Sequence, residues 1–239
     1  MARQARLTFP GHPHHLLIRG NNRQAIFVDD DDRRRLLSLL GEVAREQKVA
    51  VHAYVLMPDH LHLLATPHNA DGLGRTVQSL GRRYVGAFNH RHGRSGTLYE
   101  GRYRAHLLGG GSNVLACMRF IELNPQRAGL AAGLRDYAWS SLLHHLGGTR
   151  DPLITDPPAY WALGNTPFER EAAYQTWLEQ GVPATEVQRM VAALVSGRPL
   201  GDAAYLVELE KLSGLSMAPR RRGRPPKVHA PVSNDYVPN

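Results

Sequence analysis

The stretch from Val49 to Thr66 constrains this chain more than any other. Two apolar runs, residues 49–57 and 60–66, are separated only by Pro58-Asp59. Runs of this length, rich in Val, Leu and Tyr, read as strands, and so short a Pro-Asp junction folds them back on each other as a hairpin. Side chains alternate faces along a strand, so His60 and His62 point one way while Leu61 and Leu63 point into the core. Two imidazoles on one sheet face are well placed to ligate a single divalent metal ion, because neutral imidazole serves several such ions. The bare His-x-His spacing is weak evidence by itself, since two ordinary structural histidines produce it equally well.

The remaining elements organise around that hairpin. Residues 14–19 form a first strand centred on Leu16-Leu17-Ile18, closed by Gly20-Asn21-Asn22. The acidic run Asp29 to Asp32 opens a helix by capping free N–H groups and opposing the positive dipole end. Leu36, Leu37, Leu40, Val43 and Ala44 carry that helix to about Gln47 at helical spacing. A second helix spans about 71–91, followed by a basic glycine-rich loop at 93–96 and a fourth strand over 97–108. Gly109-Gly110-Gly111 is a break, after which Ser112-Asn113 caps a helix that runs to Leu123 and is stopped by Pro125. The order strand, helix, strand, strand, helix, strand, helix predicts an α+β fold with a ferredoxin-like core, an antiparallel sheet with helices on one side plus one extra helix. From about Ala138 the composition turns loop-rich, and helices are expected over 172–178, 186–195 and 200–212. The predicted division is a core at 1–135, a small helical appendage at 136–216, and a Pro-rich basic tail at 217–239 expected to be disordered.

Charge speaks about partners. The 239 residues include 29 Lys and Arg against 21 Asp and Glu, a net charge of +8 and a pI near 10.0. Such a surplus points to a polyanion, and nucleic acid is the commonest one. The single cysteine, Cys117, excludes a disulfide framework and a cysteine-built zinc site, and suits a reducing compartment. The segment 1–7 lacks the apolar run of a signal peptide, and no stretch approaches the ~20 apolar residues of a membrane span. The expected setting is therefore the bacterial cytoplasm and nucleoid, with no membrane partner.

Four segments, taken in order, carry a family resemblance. His14-His15 with Arg19-Gly20-Asn21-Asn22-Arg23 is the first, and residues 52–64, His-Ala-Tyr-Val-Leu-Met-Pro-Asp-His-Leu-His-Leu-Leu, are the second. Residues 89–104, Asn-His-Arg-His-Gly-Arg-Ser-Gly-Thr-Leu-Tyr-Glu-Gly-Arg-Tyr-Arg, and residues 119–130, Arg-Phe-Ile-Glu-Leu-Asn-Pro-Gln-Arg-Ala-Gly-Leu, complete the set. Together they resemble the single-tyrosine, HUH-type transposases of insertion sequences, in the branch of the REP-associated tyrosine transposases. The resemblance covers residues 1 to about 150. It implies an HUH core that binds single-stranded or hairpin DNA and, with Mg or Mn, cleaves it through a 5′-phosphotyrosine link on a helix-borne tyrosine. It also implies that Asn124 supplies a third metal ligand beside His60 and His62, and it favours a monomer over a homodimer.

One position departs from the pattern. Where the family has Tyr-Ile-x-x-Asn-Pro, this chain reads Phe120-Ile121-Glu122-Leu123-Asn124-Pro125. Phenylalanine has no hydroxyl, so position 120 cannot form the phosphotyrosine. Three explanations stand: an engineered change that traps uncut DNA, a natural loss that leaves a binding protein, or chemistry at another tyrosine such as Tyr84, Tyr99 or Tyr103. Tyr99 and Tyr103, four apart on the expected strand, would share a face for stacking on bases.

The basic residues near these motifs, Arg19, Arg23, Arg82, Arg83, Arg91, Arg94, Arg102, Arg104 and Arg127, are candidates for tracking a DNA backbone. The tail sequence Arg220 to Lys227 resembles an AT-hook with core Arg222-Gly223-Arg224-Pro225. An extended Arg-Gly-Arg fits the narrow minor groove of A·T-rich DNA.

Overall fold

The hairpin forms where the sequence places it, and it nucleates the sheet. Strands β1 (His14–Arg19), β2 (Val49–Met57), β3 (His60–Pro67) and β4 (Arg104–Leu107) make one antiparallel sheet in the order β2-β3-β1-β4. Strands β3 and β1 are thus flanked on both sides, while the outer sides of β2 and β4 meet only isolated bridges, from Ser140 and Ile154 to β2 and from Leu200 at the end of β4. The coordinates come from a computed structural model and describe residues 7–217. Arg222 and Arg224 of the AT-hook-like tail lie outside the described residues.

Alternation along the strands sorts the core into two layers. Leu16, Ile18, Tyr54, Leu56, Leu61 and Leu63 pack against helices α1 (Asp30–Glu46) and α2 (Gly72–Arg91). Ala53, Val55, Met57 and Leu64 pack on the opposite face, against helix α3 (Gly111–Glu122). The expected arrangement of helices on one side therefore holds for α1 and α2, whereas α3 covers the other face. The reason is the register: His62 and Leu64 are buried as fully as Leu61 and Leu63, so both faces need a cover.

The acidic run caps α1 as expected, with the Asp29 side chain accepting from the Asp32 N–H. It also does more. Asp32 is buried and accepts from Val28 N–H, while Arg91 and His92 at the end of α2 bond to it, tying the start of α1 to the end of α2.

Three local expectations are corrected. The fourth strand is only Arg104–Leu107, because Gly96 and Gly101 take positive φ and turn the preceding segment away; Tyr99 meets the sheet only through a single bridge to Gly20. Helix α3 is not capped by Ser112 or Asn113: Gly110 stands at the cap, and the Asn113 amide reaches back to the Gly109 carbonyl. Pro125 does not stop that helix. It ends at Glu122, and Pro125 sits in the first turn of a short helix α4 (Asn124–Arg127), where its missing N–H costs nothing.

Beyond the sheet come short helices α5 (Leu142–His145) and α6 (Pro158–Trp161), then α7 (Pro167–Glu179), α8 (Ala184–Ser196) and α9 (Ala203–Ser213). They share a buried cluster with α3, in which Leu142, Tyr160, Tyr174, Leu178 and Met190 surround Cys117 and Ile121. The glycines at 109–111 serve this packing. A Cβ on Gly109 would lie 2.1 Å from the Tyr205 ring, so only glycine lets α9 close on the chain there.

Candidate functional site

Three strands and two helices build a histidine-rich face. On β3, His60 and His62 project together, their ring centroids 5.1 Å apart. Arg19 on β1 pairs in register with His60, and its Nε is buried without a hydrogen-bond partner. From α3, the Phe120 ring lies across this face, 5.7 Å from His62 and 5.6 Å from His15. Arg127 of α4 is exposed as a residue, yet its guanidinium caps that ring at 4.4 Å and its Nη2 donates to the Phe120 carbonyl at 2.6 Å. An aromatic ring, two imidazoles and two cations therefore converge.

The histidines here are prepared as lone-pair donors. Burial pulls His62 and His15 well below the ordinary imidazole range, and neighbouring histidines and Arg127 push the same way. His60 is lowered too, by desolvation, although Asp59 pulls against it. Asp59 Oδ1 lies 2.5 Å from His60 Nδ1, which orients the ring and leaves Nε2 for another partner. Carboxylate-backed histidine is the arrangement that metal-binding imidazoles commonly show. The donor set thus fits a divalent cation.

Asn124 follows Phe120 by four residues, is half-buried, and opens α4 rather than continuing α3. Arg104 shares the histidine face through its alternation with His106 on β4, and pairs with Glu100 at 3.7 Å.

Other sequence-predicted residues lie elsewhere. Arg82 and Arg83 are on α2, across the sheet from the histidines, and Arg83 is paired with Glu46 at 3.0 Å and Glu42 at 3.5 Å. Arg91 is held by Asp29 and Asp32, both at 2.7 Å. Arg94 donates to Gln24 and lies over Phe88, bracing the loop that carries Arg23. Arg23 itself is exposed with a left-handed backbone, φ 57°, and Arg102 is exposed in the loop before β4.

The alternative tyrosines are excluded by position. Tyr84, Tyr99 and Tyr103 all pack with the α1–α2 layer, on the far side of the sheet. The Tyr84 hydroxyl donates to the Ile26 carbonyl at 2.6 Å, and the Tyr99 hydroxyl is shut from solvent with no partner. Burial raises both phenols well above their usual range, opposing the phenolate a nucleophile needs.

A second buried cluster, which no sequence motif marks, lies on the other side of α3. Glu122 accepts from Ser141 Oγ at 2.5 Å and from Tyr174 Oη at 2.7 Å, and lies 2.6 Å from His145 Nδ1. His144, His145 and Asp156 could together hold a metal ion, with ligand atoms within 4.8 Å of one another. Proton positions argue against it. The Asp151 N–H donates to His144 Nδ1 at 3.0 Å, so neutral His144 carries its proton on Nε2, the atom facing Asp156. Burial disfavours charge on His145, but Glu122 and Asp156 outweigh it and raise this imidazole to about 9. Both carboxylates thus favour a proton on His145.

Comparison with known proteins came to the same fold. The family model described as IS200-like transposase matches residues 9–124. A solved REP-associated tyrosine transposase bound to a REP hairpin is 19% identical, with a TM-score of 0.51 over 66% of this chain and 96% of its own. At that identity the likeness bears on the fold. A Deinococcus radiodurans protein provisionally described as a transposase is 20% identical, with a TM-score of 0.36 over 56% of this chain and 98% of its own. No curated protein matches. Among the described residues no helix is long and apolar enough to cross a membrane.

Proposed function

We propose, from the match of residues 9–124 to the family model of IS200-like transposases, that the chain engages single-stranded or hairpin DNA at the histidine face, and that the sequence as it stands binds without cutting. The observation that carries this reading is the convergence of His60, His62 and the Phe120 ring on one face, with Arg19 and Arg127 beside them. The site would hold Mg or Mn through His60, His62 and Asn124. Such an ion, when bound, neutralises charge on phosphate oxygens. Arg19 and Arg127 supply the fixed positive charge that draws a phosphate to this face and orients it. Phe120 fills the place of the family's nucleophile, and its ring can stack but cannot attack. The relative solved with a REP hairpin supports hairpin DNA as the partner class.

Phe120→Tyr restores the missing hydroxyl. Incubated with single-stranded hairpin DNA and Mg or Mn, the variant is expected to form a denaturant-resistant covalent adduct, while the unaltered chain forms none. Failure of Phe120→Tyr to form an adduct with DNA that it demonstrably binds would overturn the strand-transfer reading. The second reading, a hairpin-binding protein without cleavage chemistry, would then stand, favoured by Phe120 itself.

A further inference from the structure

Two fully enclosed histidines, His15 and His106, take no part in the reading above, yet they stand directly behind His62. His62 Nδ1 lies 2.8 Å from His15 Nε2, and His15 Nδ1 lies 3.1 Å from His106 Nε2. His106 Nδ1 is 3.2 Å from the carbonyl oxygen of Leu107, which also accepts from Leu200 N–H at 2.8 Å. The rings come from three adjacent strands, β3, β1 and β4, with His15 in register with His106 and Leu17 with His62.

A neutral imidazole has one N–H and one lone pair. Buried rings whose hydrogen-bond partners are only each other and a carbonyl stay neutral. Two proton arrangements satisfy the ring-to-ring bonds, and they run in opposite directions. The carbonyl separates them, because its oxygen only accepts. His106 must then carry its proton on Nδ1, and the reverse arrangement would set a lone pair against a lone pair in an enclosed site. It follows that His106 Nε2 accepts from His15 Nδ1–H, and His15 Nε2 accepts from His62 Nδ1–H. His62 is left with a bare lone pair on Nε2, the nitrogen not used in the row.

The geometry points to His15 and His106 as positioning residues that hold His62 in the tautomer whose Nε2 can bind a divalent cation, anchored by the Leu107 carbonyl two strands away. This rests on the reading of His60 and His62 as a cation site.

The test uses the full chain, metal-free, with 15N-labelled histidine, and reads by long-range 1H–15N correlation which nitrogen of His62 carries the proton. A single Nδ1–H population is expected, and it should become mixed in His106→Leu. An Nε2–H form of His62 in the unaltered chain overturns the proposal. Calorimetric titration with Mn2+ gives the second readout. His106→Leu should weaken binding about ten- to hundred-fold, the usual cost of losing an outer-shell partner. His106→Gln, whose amide oxygen can accept from His15 Nδ1–H, should retain most of the affinity. Equal affinity in the folded Leu variant refutes the positioning role. A chain that shows His62 as Nδ1–H but takes up no Mn2+ refutes instead the cation reading of His60 and His62, and the row remains as a structural device.

Discussion

On one side of α3 Phe120 meets His15 and His62; on the other side Glu122 meets His145. Both clusters are buried to the same degree, and they reach opposite charge states. The first contains no carboxylate within its row, so burial acts unopposed and its imidazoles stay neutral. The second places carboxylates of Glu122 and Asp156 on either side of His145, and the ring keeps its proton despite being wholly enclosed. Burial alone therefore does not determine what a histidine offers; the sign of its neighbours does. The neutral row leaves a lone pair on His62 Nε2 and suits a cation. The charged cluster has none to spare, and it fastens α3 to α5, α6 and α7.

That contrast can be broken at its strongest point first. Glu122→Ala leaves His145 buried opposite a cavity and strips partners from Ser141 and Tyr174. Removing one partner of a buried ion pair costs about 3–5 kcal/mol, so urea unfolding should show a loss of that size. A loss under about 1 kcal/mol, the usual worth of an exposed pair, would mean that the cluster is not a charged anchor.

The two clusters should also respond to pH in opposite windows. His145 is raised to about 9, so its contribution is fully present below the unfolded value near 6.5 and is lost as pH climbs through about 9. His106 is lowered to about 4 chiefly by burial, so its contribution is present above 6.5 and is lost as pH falls to about 4. Each limb is worth on the order of 3 kcal/mol per group. Melting temperatures from pH 4 to 10 should give a dome, and His145→Gln should flatten only its alkaline side. Flattening of the acid side by that substitution would show that the clusters are not independent.

The smallest change is Tyr174→Phe, which removes one hydrogen bond to the Glu122 carboxylate and keeps the ring that packs on His145. A hydrogen bond to a charged acceptor contributes about 1.5–3 kcal/mol. The expected loss lies in that range, with the alkaline limb preserved, as chemical denaturation at pH 7 and pH 9 would record. Disappearance of the alkaline limb would instead make Tyr174, rather than the carboxylates, the group that holds the proton on His145.

Much of the fold could be read residue by residue. The periodicity of Leu36, Leu40 and Val43, the acidic cap at Asp29 and the Pro58-Asp59 turn are local signals, and each element formed where its signal lay. The fourth strand was overextended because Gly96 and Gly101 act through backbone dihedrals that composition does not display. Candidate-site residues divide in the same way. His60 and His62 are two apart on one strand, so alternation alone placed them together. Arg83 and Arg91 looked equally suitable by charge, but their carboxylate partners come from a helix about 40 to 60 residues away in sequence. His15 was visible only as part of a motif, and His106 and Glu122 carried no signal of their own.

The sequence by itself determined the hairpin, the shared direction of His60 and His62, the absence of a hydroxyl at position 120, and the basic charge that suits a polyanion. These follow from strand geometry, side-chain chemistry and composition, which need no partner. Only the tertiary structure decided that β1 lies between β3 and β4, and hence that His15 bridges His62 and His106. It also decided that α3 turns Phe120 to a neutral cluster and Glu122 to a charged one, because the protonation of a buried group depends on what folding brings beside it.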